Sequence, residues 1–135
     1  MTTLRESILA LCPAGTHEGE APTGARLPWT VVVLDVPTPS ARALAGQPHA
    51  YRVRLRGTAA GASAHAASIV ADKLRLALEG ARPVADGWVC SPLRHVSSRP
   101  VARDPQVTWP ATDTHTFFAV LDFEATASPT PVEEP

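Results

Sequence analysis

The stretch Tyr51-Arg-Val-Arg-Leu-Arg56 alternates an apolar or aromatic residue with an arginine at every second position. A period of two is the signature of a β-strand with one face buried and one face in water. Tyr51, Val53 and Leu55 are therefore expected to face a core, and Arg52, Arg54 and Arg56 the opposite side. A strand of this kind needs neighbours, and two other stretches offer them. Residues 30–36 (TVVVLDV) are β-branched and apolar on both faces until Asp35, the pattern of a strand interior to a sheet. Residues 116–124 alternate again: Phe117, Ala119, Leu121 and Phe123 share one face, and Phe118, Val120, Asp122 and Glu124 the other.

Two helices complete the pattern. Thr3 stands three residues before Glu6, the spacing of a capping box in which each side chain satisfies an orphan amide. Leu4, Ile8 and Leu11 follow on one face, and Pro13 and Gly15 end the segment. The main helix is expected over 62–79, with Ala66, Ile69, Val70, Lys73, Leu74, Ala77 and Leu78 at helical spacing. Ser63 or Thr58 is placed to cap its start. Gly80 sits where a left-handed cap residue belongs, with Pro83 soon after. A third strand is expected near 88–97, bent or broken by Pro92 and so at an edge or bulged. Residues 13–28, 37–49 and 98–113 are rich in Pro and Gly and read as loops, and residues 57–61 read as a turn.

With 135 residues, 44% apolar and 19% charged, the chain has the size and content for one packed domain. The expected fold is α+β: a mixed sheet of about four main strands with two helices packed on one face, in the order α-β-β-α-β-β. The domain is expected over 1–127, with 128–135 as a disordered tail.

Twelve basic residues against thirteen acidic ones give a net charge of -1, so no global charge draws the chain to nucleic acid or an anionic membrane. No apolar run approaches the roughly 20 residues of a bilayer span. The first residues, MTTLRESILALC, are too polar for a secretory signal, so cytoplasmic synthesis is expected.

Chemical motifs are sparse. Cys12–His17 and Cys90–His95 each read C-x4-H, enough in number for a tetrahedral Cys2His2 zinc shell. Residues five apart on a regular strand point to opposite faces, however, unless Pro92 bends the strand, and the spacing matches no common zinc module. The expectation is two free thiols and no metal or cofactor. No G-x-S-x-G elbow is present, and Ser63 and His65 fit a helix cap and first turn better than a catalytic pair. Gly57-Thr-Ala-Ala-Gly61 precedes a helix, but no G-K-[ST] follows to make a phosphate loop. No catalytic residue is expected.

The arginine stripe is more specific. Three guanidinium groups on one strand face repel unless solvent or acids answer them. Asp122 and Glu124 share a face of the last strand and suit cross-strand pairing, within the chain or with a neighbour. The stripe reads as a solvated outer face, as a subunit contact, where arginine is enriched, or as a nucleic-acid groove, although no aromatic alternates with these arginines on the same face. Trp109, between Thr108 and Pro110, and Trp29, beside Pro28, either anchor an interface or fold back over the core.

The layout resembles the tail terminators of long-tailed double-stranded DNA bacteriophages, the small neck proteins of the minor tail protein U group. Three stretches carry the resemblance: LPWTVVVLDV, the pair AYRVRLRG and GASAHAASIVADKLRLALEG, and the ending SSRPVARDPQ…THTFFAVLDFEATAS. Together they span about residues 28–127. The resemblance implies a non-enzymatic virion protein assembled in the host cytoplasm. Such proteins form a ring, typically a hexamer, at the head-proximal end of the tail tube, stop its polymerisation and present a surface to the head completion (stopper) protein. The expected partners are further copies of the chain, the major tail tube protein and that head completion protein, with DNA only passing through the lumen. Arg52, Arg54, Arg56, Asp122, Glu124 and Trp109 are the expected subunit or tube contacts. The competing readings are another neck component, such as a connector or stopper, and a small ligand-binding or enzymatic α+β domain.

Overall fold

The computed structural model describes residues 2–21, 26–36, 51–109 and 114–130. The elements in chain order are α1 (Leu4–Leu9), β1 (Thr16–Glu18), β2 (Trp29–Asp35), β3 (Tyr51–Gly61), α2 (Ala64–Leu78), β4 (Trp88–Cys90), β5 (Arg94–Trp109) and β6 (Thr114–Pro129). The strands make one six-stranded mixed sheet in the order β1-β2-β3-β6-β4, with β5 also paired to β6. β1 runs parallel to β2, and the other pairings are antiparallel.

The α+β class holds, but the sheet is larger than the four expected strands. β1 lies within a stretch expected to be a loop, and the expected third strand is two. Glu124 pairs with Arg54 of β3 and Arg94 of β5, while Ala127 pairs with Tyr51 of β3 and Cys90 of β4. β4 and β5 therefore lie end to end on the same side of β6, with the break at Pro92, which lacks an N–H for the ladder.

Three boundaries also move. Gly57–Gly61 continues β3 instead of turning, paired to Phe117–Leu121. Residues 98–109, expected as loop, continue β5 to Trp109 with irregular register between His95 and Ser97, Arg99 and Ala102, and Arg103 and Thr108. The last two irregular stretches contain Pro100 and Pro105, and a bulge absorbs residues that cannot donate to the ladder. β6 runs to Pro129, past the expected boundary at 127. Ser128 and Pro129 pair with Val89 and Trp88, and the Thr130 N–H donates to the Gly87 carbonyl. Residues 131–135 and the whole of the expected loop at 37–49 lie outside the described residues.

Both described helices join one core on the inner sheet face. That core contains Leu4 and Ile8 of α1 and Leu74 and Leu78 of α2. Val32, Val53, Leu55, Leu121 and Phe123 supply the sheet side. The Thr3 hydroxyl accepts from the Glu6 N–H, and the Ser63 hydroxyl, not Thr58, caps α2 by accepting from the Ala66 N–H. α2 buries Ala67, Ala71, Leu74 and Leu78, one row at helical spacing. Each of the two leucines contributes roughly 1.5–3 kcal/mol of burial before entropy. Ile69, expected in that row, is 43% exposed, because it lies on the far side of the helix.

Glycine permits the close approach of α2 to β3. A Cβ on Gly61 would stand 2.6 Å from the Ala67 nitrogen, and one on Gly57 would collide with the Leu74 side chain. Gly80, with φ of 80°, ends α2 in the left-handed conformation. The edge-on ring contact of Tyr51 and Trp88, centroids 5.9 Å apart, lies toward the β4 end of the sheet.

Candidate functional site

The outer face of the sheet carries most of the chemistry. Strand alternation dictates its membership: odd positions of β6 enter the core and even positions point away. Arg54 stands directly across from Glu124, and Arg56 from Asp122. The Arg56 Nε donates to Asp122 Oδ1 at 2.8 Å, and its Nη2 lies 3.4 Å from Oδ2. Ser97 of β5 donates to the same carboxylate at 2.9 Å. Glu124 is shared: Arg54 Nε is 3.5 Å from one oxygen, and Arg94 Nη2 is 4.0 Å from the other. Arg54 and Arg56 of the expected stripe thus find their acids inside the chain.

These pairs leave the arginines in water. The Arg54 and Arg56 side chains are 55% exposed. Exposed pairs contribute little to stability, so they order the face more than they stabilise the fold. The hydrogen bond from Arg56 holds the Asp122 carboxyl below its ordinary pKa. Partial burial opposes that shift, while Ser97 and the nearby Arg56 and Arg99 charges reinforce it.

The face is unequally charged. Arg52, Arg54, Arg56, Arg94 and Arg99 are answered by Asp35, Asp122 and Glu124, by register position. Among the described side chains the excess is two positive charges, on a chain of net charge -1. Arg52 lies opposite Thr126, with no acid across the strand. Between β2 and β5 the face forms an open groove of about 590 Å³, walled by Val33 and Val96 and floored by Arg54, Arg56, Asp122 and Glu124. Val33 is 54% and Val96 41% exposed.

Sequence reasoning found β3 and β6 of this face but missed Arg94, Ser97 and Arg99 as its members. The register shift at Val96 breaks the period of two, so parity in the sequence no longer reports the side. Trp109 is not brought to the others. Its Cα pairs with Thr114, eight residues along β6 from Asp122, or about 26 Å at strand rise. Trp29 is half-buried at the start of β2 and pairs with Ala60.

The remaining motifs lead elsewhere. Cys90 and His95 pair with Ala127 and Phe123, both core-facing, so the break at Pro92 puts them on one face and not on opposite faces. The His95 ring lies 5.3 Å from that of Phe123, with its Nε2 buried and lacking a hydrogen-bond partner. Among the described residues no three or more His, Cys, Asp or Glu side chains gather as metal ligands. Burial pushes the Cys12 thiol up to about 11 and raises Cys90 too, which opposes formation of the thiolate that a metal or electrophile requires. Among the described residues no helix is long and apolar enough to cross a membrane. No protein-family model matches this chain, and no curated protein matches it.

Proposed function

We propose that this chain is a structural subunit of a phage tail neck, closing into a ring on the head-proximal end of the tail tube. There it ends tube polymerisation and offers the surface to which the head completion protein attaches. One observation carries the reading. The three stretches that resemble tail terminators build one contiguous unit: β2 pairs with β3, β3 pairs with β6, and α2 lies across them. A subunit of this kind acts through borders and faces. The paired arginines and acids of the outer face, ordered but wet, suit a contact that forms and fixes register. Arg52, Arg54, Arg56, Asp122 and Glu124 belong to the subunit contact in this reading. Trp109, near the end of the β5–β6 hairpin, belongs to a separate subunit or tube contact.

The test is electron microscopy of tail tubes polymerised with and without the purified chain. The expected outcome is a ring on one end of each tube and a fixed tube length. Tubes of unchanged length without a cap refute the reading. Rings that form but leave length unchanged move the chain to a connector or stopper role.

A further inference from the structure

Pro92 interrupts the flank of β6 where β4 gives way to β5, and the chain closes the break with a side chain. The Ser91 N–H donates to the Thr126 carbonyl at 2.9 Å, as a ladder partner would. The return bond is different: the Thr126 N–H donates to the Ser91 hydroxyl oxygen, also at 2.9 Å. That hydroxyl keeps its own hydrogen, whose described acceptor, the Pro92 carbonyl, is 3.5 Å away, too far for a firm bond. At this break the outer face holds an open cavity of about 350 Å³, lined by Arg52, Ser91, Pro92, Arg94, Glu124 and Thr126. The volume is at the small end of the range for ligand pockets. The lining carries two guanidinium groups against one carboxylate. That carboxylate is also engaged from outside the lining: Arg54 lies 3.5 Å from one Glu124 oxygen, and Arg94 lies 4.0 Å from the other. Arg52 stands across from Thr126, and among the described residues no acid pairs with it.

We propose that this cavity binds one phosphoryl group, as free phosphate or as a small phosphate monoester. Arg52 and Arg94 flank the group from β3 and β5, and the Ser91 and Thr126 hydroxyls donate between them. The register allows it. The two arginines stand two strand spacings across and two residues along, about 12 Å between Cα atoms, so their side chains approach the space over Thr126 from opposite sides. Each guanidinium offers a planar fork that matches a phosphoryl edge, and each hydroxyl adds a donor. Arg94 gives up only a 4.0 Å contact to take part, and Glu124 keeps Arg54. Four donor groups match the three or more oxygens of a phosphoryl group better than the two of a carboxylate. A nucleic-acid backbone fits less well. Arg54 and Arg56, the next arginines along β3, are paired with Glu124 and Asp122, so they are not free to meet successive phosphates. The inference does not rest on the ring reading, because a single copy presents the whole cavity.

Amide NMR of the isotope-labelled full chain, at constant ionic strength, tests it. Titration with sodium phosphate is expected to give saturable shifts in the millimolar range, centred on the Ser91 and Thr126 amides. Arg52→Gln and Arg94→Gln are each expected to weaken binding about tenfold, the worth of one charge-assisted hydrogen bond. Arg75→Gln, which removes the same charge from α2, is expected to bind like wild type. Arg52 and Arg94 are exposed, so the spectra of their variants without phosphate should match wild type; if one variant fails to fold, the other decides. Glycerol phosphate that binds more tightly than inorganic phosphate assigns the monoester, and the reverse order assigns the free ion. Acetate is expected to leave the two amides unmoved. The absence of a saturable shift with either phosphate probe, or equal binding in the Arg52 and Arg94 variants, overturns the proposal. Acetate that binds as tightly as phosphate overturns it in favour of an acidic side chain. Short duplex DNA that displaces phosphate, and loses affinity steeply with salt, overturns it in favour of a nucleic-acid backbone.

Discussion

Gly57 and Leu74 make a pair whose energetics can be worked from the structure. Gly57 lies on the core face of β3, and Leu74 is fully buried on α2 above it. A Cβ added at Gly57 would overlap the Leu74 Cδ2 and stand 3.6 Å from its Cγ and 3.9 Å from the Leu55 Cδ2. Gly57→Ala therefore overpacks the junction and is expected to cost about 1–3 kcal/mol, despite the better strand propensity of alanine. Leu74→Ala leaves a cavity at a site with no exposure and is expected to cost about 2–5 kcal/mol. The double variant places the new methyl into the space the leucine vacated. Its cost is expected to fall below the sum of the two by about 0.5–3 kcal/mol. Urea unfolding of all four proteins, followed by circular dichroism, gives the cycle directly. Additivity to within about 0.5 kcal/mol would show that the two side chains do not compete for one volume, and the account of the helix–sheet junction would fail.

Two further outcomes follow from the ionisable groups. Asp122 is held below its ordinary carboxylate pKa, so its contribution is present above the unfolded value near 3.8 and is lost as pH falls through the lower folded value. Asp122→Asn should cost less than about 1 kcal/mol at pH 7 and flatten the acid limb of stability; an unchanged acid limb would contradict the Arg56 pairing. Cys12, pushed up to about 11, should react with a thiol reagent far more slowly than free cysteine at pH 8 and speed up as pH rises toward 11; rapid labelling at pH 8 would show that the site is open.

The legible part of this fold was the part governed by period. Arg52 to Arg56 and Phe117 to Glu124 were assigned to their faces correctly, because neither stretch contains a bulge or a proline. Thr3 and Ser63 were legible as caps because capping chemistry is local. The hidden parts depended on tertiary partners. Gly57–Gly61 looks like a turn until α2 is laid across it, when small residues become a packing requirement. Ile69 fits the helical period as well as Leu74 does, and only the rotation of α2 on the sheet decides between them. Residues 98–109 carry prolines that argue against a strand, yet β6 supplies a long template on which irregular register is tolerated. The pairing of Arg56 with Asp122 spans 66 residues. Sequence alternation offered it as one of two possibilities, and the register between β3 and β6 selects it.

β6 touches β3 along one flank and β4 and β5 along the other, and it emerges from the ribosome after every strand it joins. Until then β3, with its arginines on one side and its valine and leucine on the other, has no partner on that flank. The centre of the sheet must therefore close by insertion between segments already made, a search over long loops that favours slow folding. A nascent or truncated chain lacking this strand would present two raw strand margins to its neighbours in the polysome.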